Sequence, residues 1–266
     1  MATGRFRFYS TAQMGQVDVS FVIPNDMPPI LVEGNKHYKR PMKTLYLLHG
    51  FSGNDCDWEY NGVAEDIAAA YNMAVFMIST GNNFYLDRKA TGCQFGTYAG
   101  EEVVNYTRKL FGLSDKKEDT LIAGLSMGGF GAIHTGFAYP ETFGGVVALS
   151  SALIIHNLEK MDEGFTDIMA NYEYYREVFG DLKTAKDSDN NPEVLYRKLK
   201  EAGKEIPPVY MAIGTEDFLY NENQIMRKFF EEQKADFIYE EGPGNHEWKF
   251  WNTYIHKGLE WVLEKV

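Results

Sequence analysis

The run Gly124-Leu125-Ser126-Met127-Gly128-Gly129 constrains this chain more than any other stretch. An apolar, β-branched run precedes it, Thr120-Leu121-Ile122-Ala123. A helix-like run follows over residues 129–138, with Phe130, Ile133, His134 and Phe137 at helical spacing. Strand, G-x-S-x-G and helix in succession describe a nucleophile elbow. The serine then sits on a turn tight enough to strain its backbone. Strand and helix approach closely there, so glycine suits positions 124 and 128. The hydroxyl projects above the sheet, toward the positive end and free N–H groups of the new helix. A glycine-rich turn without chemistry would look the same locally, so the decision falls to partners elsewhere in the chain.

An elbow needs a sheet to carry it. Residues 5–10 and 16–23 alternate as two strands around a turn near Gln13-Met14-Gly15. Residues 24–41 read as a loop, punctuated by Pro, Gly and Asn. Residues 43–48 form a buried strand running into His49-Gly50-Phe51-Ser52-Gly53-Asn54. A helix over 63–71, a strand over 74–79 and a long loop over 80–97 follow. Residues 98–111 have helical spacing, with Glu101 and Glu102 placed favourably for the helix dipole. After the elbow come strands at 145–149, 208–213 and 236–240, and helices at 223–234 and 247–264. Residues 151–205 are polar, rich in tyrosine and too long for a simple connection. They read as helices and loops inserted at the carboxyl edge of the sheet, where ligands bind in open α/β folds. The alternation predicts one α/β domain over 1–266, with a mostly parallel sheet flanked by helices.

A serine hydroxyl needs a base, and the base needs an orienting acid. At such elbows the order along the chain is Ser, then Asp or Glu, then His. His37 and His49 precede Ser126. His134 lies about two helical turns beyond it, roughly 12 Å along the axis, and faces away. His156 falls in the insertion and His256 inside the last helix. His246, in Gly242-Pro243-Gly244-Asn245-His246, follows the last strand and stands where the base belongs. Gly214-Thr215-Glu216-Asp217 leaves the strand at 208–213. Asp217 is the expected acid, with Glu216 pointing the other way. The oxyanion needs two backbone donors. The amides of Met127 and Phe51 fit, the latter in a His-Gly motif after the third strand. His49 itself reads as a brace of its loop.

The formal net charge is −12, which argues against nucleic acid and anionic membranes as partners. No apolar run approaches membrane-spanning length, and residues 1–7 contain no secretory h-region. The chain as given is expected in the cytoplasm, although a trimmed leader would leave the same start. Cys56 and Cys93 do not make a disulfide framework, and no Cys/His cluster suggests a metal site.

Together, HGFSGN, GLSMGG, GTEDFLY and GNHEWKFW resemble the putative-esterase family of α/β-hydrolases. That family includes tributyrin esterases, esterase D (S-formylglutathione hydrolase), and acetyl and feruloyl esterases of carbohydrate esterase family 1. The resemblance covers residue 43 to the end. It implies Ser126 as nucleophile, Asp217 as acid, His246 as base, and the Phe51 and Met127 amides as oxyanion donors. It also implies no metal and no organic cofactor. The wording of HGFSGN and GTEDFLY is nearer the tributyrin and feruloyl side than esterase D. The expected substrates are small-molecule or polysaccharide-linked esters with short or aromatic acyl groups, acetyl or feruloyl. Phe51, Trp58, Tyr85 and Trp248 are the aromatics expected to hold a flat ring. The competing readings are a thioesterase, an acyltransferase related to mycolyltransferases, and a non-catalytic carbohydrate- or protein-binding fold.

Overall fold

A computed structural model describes residues 1–266. Eight strands form one sheet: β1 Ala2–Ser10, β2 Gly15–Ile23, β3 Lys43–Leu48, β4 Met73–Ile78, β5 Thr120–Leu125, β6 Gly145–Leu149, β7 Val209–Gly214 and β8 Phe237–Gly242. Their order across the sheet is β1-β2-β4-β3-β5-β6-β7-β8. The β1–β2 and β2–β4 pairings are antiparallel, and the remaining five are parallel. This is the α/β-hydrolase architecture: a mostly parallel sheet with helices on both faces.

The inner strands are apolar without alternation because both of their faces are covered. In β3, Leu45 and Leu47 pack into one core layer, while Tyr46 and Leu48 pack into the other. The same split recurs in β4, where Val75 and Met77 face one way and Phe76 and Ile78 the other. Each fully buried side chain of this kind stabilises the fold by about 1.5–3 kcal/mol. The parallel register aligns the carboxyl ends of the strands. Leu48 pairs with Gly124, Leu125 with Leu149, and Gly214 with Gly242. Every loop that leaves these ends therefore opens on one rim.

Several segments depart from the sequence expectation. Residues 24–41 are not loop throughout, since Pro29–Val32 and Lys36–Lys39 form short helical turns. Helical structure over 98–111 begins as a π-turn, Tyr98–Glu102, before the α-helix Val103–Phe111. Glu102 does more there than answer a dipole. Its carboxylate accepts from Ser10 Oγ and from the Thr11 amide at 2.7 Å, so it closes the β1–β2 turn. Cys56 and Cys93 are free thiols. No helix is long and apolar enough to cross a membrane.

The insertion after β6 carries the helices Ile155–Leu158, Tyr172–Phe179 and Pro192–Glu201. His156 Nε2 lies 2.6 Å from Glu193 Oε1, and Arg197 reaches the other carboxylate oxygen at 3.1 Å. This joins the first of these helices to the third. The hydrogen bond to Glu193 raises the His156 pKa, with burial opposing it. A raised folded-state pKa stabilises the fold fully below the unfolded value, about 6.5, and this is lost as pH rises through the folded value. His156→Gln should therefore lower the melting temperature more at about pH 5.5 than at about pH 8.5. Calorimetry at both pH values checks this. Equal losses would mean that the imidazole contributes packing and no charge.

Candidate active site

Ser126 stands between β5 and the helix Met127–Ala138, with φ 56° and ψ −119°. A residue with a Cβ occupies this region only when its surroundings force it to, at a cost of about 1–3 kcal/mol. The forcing contacts are visible. The Ser126 amide donates to Leu149 O at 2.9 Å, and the Ala152 amide donates to Ser126 O at 2.9 Å. Both flanking glycines are steric necessities. A Cβ on Gly124 would lie 2.2 Å from Gly128 O, and one on Gly128 would lie 2.4 Å from Leu48 O. Neither contact can relax, because the nearest atoms met are backbone.

Three loops of the carboxyl rim converge on this serine. His246 Nε2 is 3.0 Å from Ser126 Oγ, and His246 Nδ1 is 2.9 Å from Asp217 Oδ2. The Asp217 side chain is fully buried, and its Oδ1 accepts from the Leu219 amide at 2.9 Å. A carboxylate can only accept here, so Nδ1 carries a proton and neutral Nε2 faces the hydroxyl with its lone pair. Trp251 stands edge-on to the imidazole at 5.0 Å, and Phe218 lies against it at 4.6 Å. Glu216 points away from the imidazole. Its Oε2 accepts from the Gly244 amide at 2.6 Å, tying the acid's loop to the loop that bears His246.

On the other side of Ser126 lies the turn after β3. A Cβ placed on Gly50 would sit 3.4 Å from Ser126 Cβ, so this turn passes directly beside the nucleophile. The Phe51 amide donates to no group of the protein. The Met127 amide is among the N–H groups that the first turn of a helix leaves free. Two unclaimed donors beside an activated hydroxyl suit an oxygen that gains negative charge. His134 faces elsewhere, with Nε2 2.9 Å from Asp189 O. No group of three or more His, Cys, Asp or Glu side chains is arranged to hold a metal ion.

The family model described as "Putative esterase" matches residues 15–262. The chain belongs to this family. The acetyl esterase of Caldicellulosiruptor saccharolyticus is 40% identical over 262 residues, covering 98% of each chain. Substrate-bound FphF, a fluorophosphonate-binding serine hydrolase of Staphylococcus aureus, is 26% identical with a TM-score of 0.83, again covering 98% of both. The S-formylglutathione hydrolase FrmB of the same organism is 26% identical with a TM-score of 0.81, covering 98% of both. Ester hydrolysis is thus the reaction class of this chain.

The aromatics of this esterase divide differently from the sequence expectation. Trp58 is only 1% exposed and belongs to the core, with its Nε1 donating to Leu48 O at 3.0 Å. Tyr85 is wholly buried, and its hydroxyl donates to His49 O at 3.0 Å. Gly131 of the elbow helix makes room for its ring, since a Cβ there would meet Tyr85 Cδ2 at 2.3 Å. Neither ring is placed to hold a substrate. A tryptophan or tyrosine that is mostly carbon fills a core well, provided that its one polar atom finds a backbone acceptor. Trp248 is half-buried, edge-on to Trp58 at 5.2 Å and to Trp251 at 5.3 Å. It lines neither of the two cavities beside the insertion.

Phe51 is the aromatic that does face open space. A cavity of about 530 Å³ is lined by Phe51, Asn82, Thr166, Met169, Asn171 and Tyr174, among others. Asn171 and Tyr174 also line a larger cleft, about 1200 Å³, between the insertion and the loop after β4. Tyr174 stands edge-on to Phe51 at 5.7 Å. The sequence reading passed over Tyr174 and Asn82. The Asn82-Asn83 pair, a few residues past the β4 carboxyl end, is the available signal, because β4 neighbours β3 at the same rim.

Proposed function

We propose that this esterase works through an acyl-enzyme on Ser126, and that its substrates are short-chain acyl esters of polyhydroxylated alcohols, acetyl esters of plant polysaccharides foremost. The unbroken hydrogen-bonded row from Asp217 through His246 to Ser126 carries the mechanistic reading. His246 takes the serine proton as Oγ attacks the ester carbonyl. The carbonyl oxygen turns toward the Phe51 and Met127 amides as it becomes negative. His246 next gives the proton to the departing alcohol. It then removes one from water, which frees the acid and restores the serine.

The acyl choice rests on the acetyl esterase relative and on the shape of the rim. The cavity beside Phe51 is modest, whereas the cleft that shares Asn171 and Tyr174 with it is roomy and lined mainly by polar residue types. A small acyl group beside Phe51 and a hydroxyl-rich alcohol in the cleft match that division. Feruloyl esters are the aromatic variant of the same proposal, with Phe51 and Tyr174 as the rings. The likeness to FrmB favours a second reading, thioester hydrolysis on S-formylglutathione.

A substrate panel separates these readings. The expected order of kcat/KM is acetylated xylo-oligosaccharides and naphthyl acetate first, then methyl ferulate, then S-formylglutathione, with the first at least about tenfold above the last. A preference for the thioester would overturn the polysaccharide reading while leaving the serine mechanism in place.

A further inference from the structure

The geometry points to His49 as a positioning residue: its imidazole fixes the Gly50–Phe51 peptide plane so that the Phe51 N–H faces the oxygen developing at Ser126. The inference rests on the proposed role of Ser126, but its subject is a different group. Four backbone atoms at the end of β3 and in the turn after it, at positions 48, 49, 50 and 52, are each held by a side chain. Trp58 Nε1 donates to Leu48 O at 3.0 Å, and Tyr85 Oη donates to His49 O at 3.0 Å. His49 Nδ1 lies 2.7 Å from Gly50 O, which also accepts from the Gly53 amide at 3.1 Å. Asn82 acts two residues on, its Oδ1 accepting from the Ser52 amide at 2.7 Å. Ser52 has φ +67°, a left-handed value that needs such support in a residue other than glycine.

The bond from His49 matters most because of where it lands. Gly50 O belongs to the same peptide unit as the Phe51 nitrogen. In a trans peptide the C=O and N–H point in opposite directions. Holding the carbonyl against the imidazole therefore aims the N–H away from His49. The tautomer is set by its neighbours. Gly50 O can only accept, so Nδ1 bears the proton. The Thr80 amide can only donate, at 3.2 Å, so Nε2 is the bare nitrogen. Burial also pushes the His49 pKa down, which keeps the ring neutral. Were the ring to turn over, both bonds would be lost together.

Two substitutions take the bonds apart. In His49→Asn, the amide nitrogen occupies the place of Nδ1 and can still donate to Gly50 O. In His49→Gln, the longer side chain reaches toward the Thr80 amide, but no donor is left at the Nδ1 place. Each variant loses one hydrogen bond, so a merely structural role predicts similar damage from both. The positioning role predicts a split. His49→Gln should lose kcat about 10- to 100-fold with KM within about threefold, a fraction of the cost of removing an oxyanion donor outright. His49→Asn should retain kcat within about threefold of wild type. The rate of labelling by a fluorophosphonate should follow kcat, because the phosphonyl oxygen enters the same hole.

Measuring kcat, KM, labelling rate and melting temperature for both variants decides it. Equal kcat in the two, or losses that track melting temperature instead of the Nδ1 donor, would overturn the role of His49. Failure of the underlying reading looks different: wild type itself would resist the label, and Ser126→Ala would retain activity.

Discussion

Ser126→Ala is expected to lower kcat about 10⁴- to 10⁶-fold while leaving the fold as stable as wild type. The size follows from the lack of any substitute nucleophile. Ser126 is the hydroxyl that His246 reaches, at 3.0 Å. Residual turnover would come from the Phe51 and Met127 amides polarising the ester for attack by water. Stability should hardly change, because alanine keeps the Cβ and hence the strain of φ 56° and ψ −119°. Ser126→Gly separates the two effects. Glycine accepts this backbone region at little cost, so the variant should be equally inactive yet more stable by roughly 1 kcal/mol, after allowance for the entropy of its unfolded chain. Denaturant titration alongside kcat checks both statements. Turnover within tenfold of wild type in either variant would remove the acyl-enzyme from the mechanism.

The same strain explains why the elbow was legible in the sequence. Gly124 and Gly128 are demanded by backbone atoms only 2.2–2.4 Å from where a Cβ would stand. A requirement that strict leaves a mark in the residue types themselves. The inner strands were legible for a related reason. Burial on both faces makes 43–48 an unbroken apolar run, and the structure places β3 on those residues. The aromatics leave no such mark. Trp58 and Tyr85 carry the same mixture of ring and polar atom whether they meet a substrate or a backbone carbonyl. Only the neighbouring elements decide, and these are distant in the chain: Tyr85 needs the gap left by Gly131, 46 residues on. The insertion was illegible in detail because its order comes from side-chain ties of long range, such as His156 with Glu193 and Arg88 with Glu177. What the sequence could report was its length and the edge that it leaves.

Asp217→Asn should cost about 10³- to 10⁴-fold in kcat, far more than loss of a charge at the surface would. The argument turns on which way the new amide must face. At position 217, one oxygen accepts from the Leu219 amide at 2.9 Å and the other meets His246 Nδ1 at 2.9 Å. Asparagine has one acceptor oxygen and one donor nitrogen. The backbone N–H of Leu219 cannot become an acceptor, so the oxygen goes there and the NH₂ turns to the imidazole. His246 must then accept at Nδ1 and carry its proton on Nε2. That proton faces Ser126 Oγ, and the ring can no longer take the serine's own. Glu216→Gln is the control. Glu216 is exposed, and its carboxylate meets the Gly244 amide and Thr215 Oγ1, not the imidazole. A glutamine oxygen can keep the Gly244 bond, so kcat should fall less than about tenfold. Steady-state kinetics on naphthyl acetate, with fluorophosphonate labelling rates, compares the two directly. If Glu216→Gln proved the more damaging, the acid of the row would have to be reassigned, and with it the tautomer on which the base function of His246 depends.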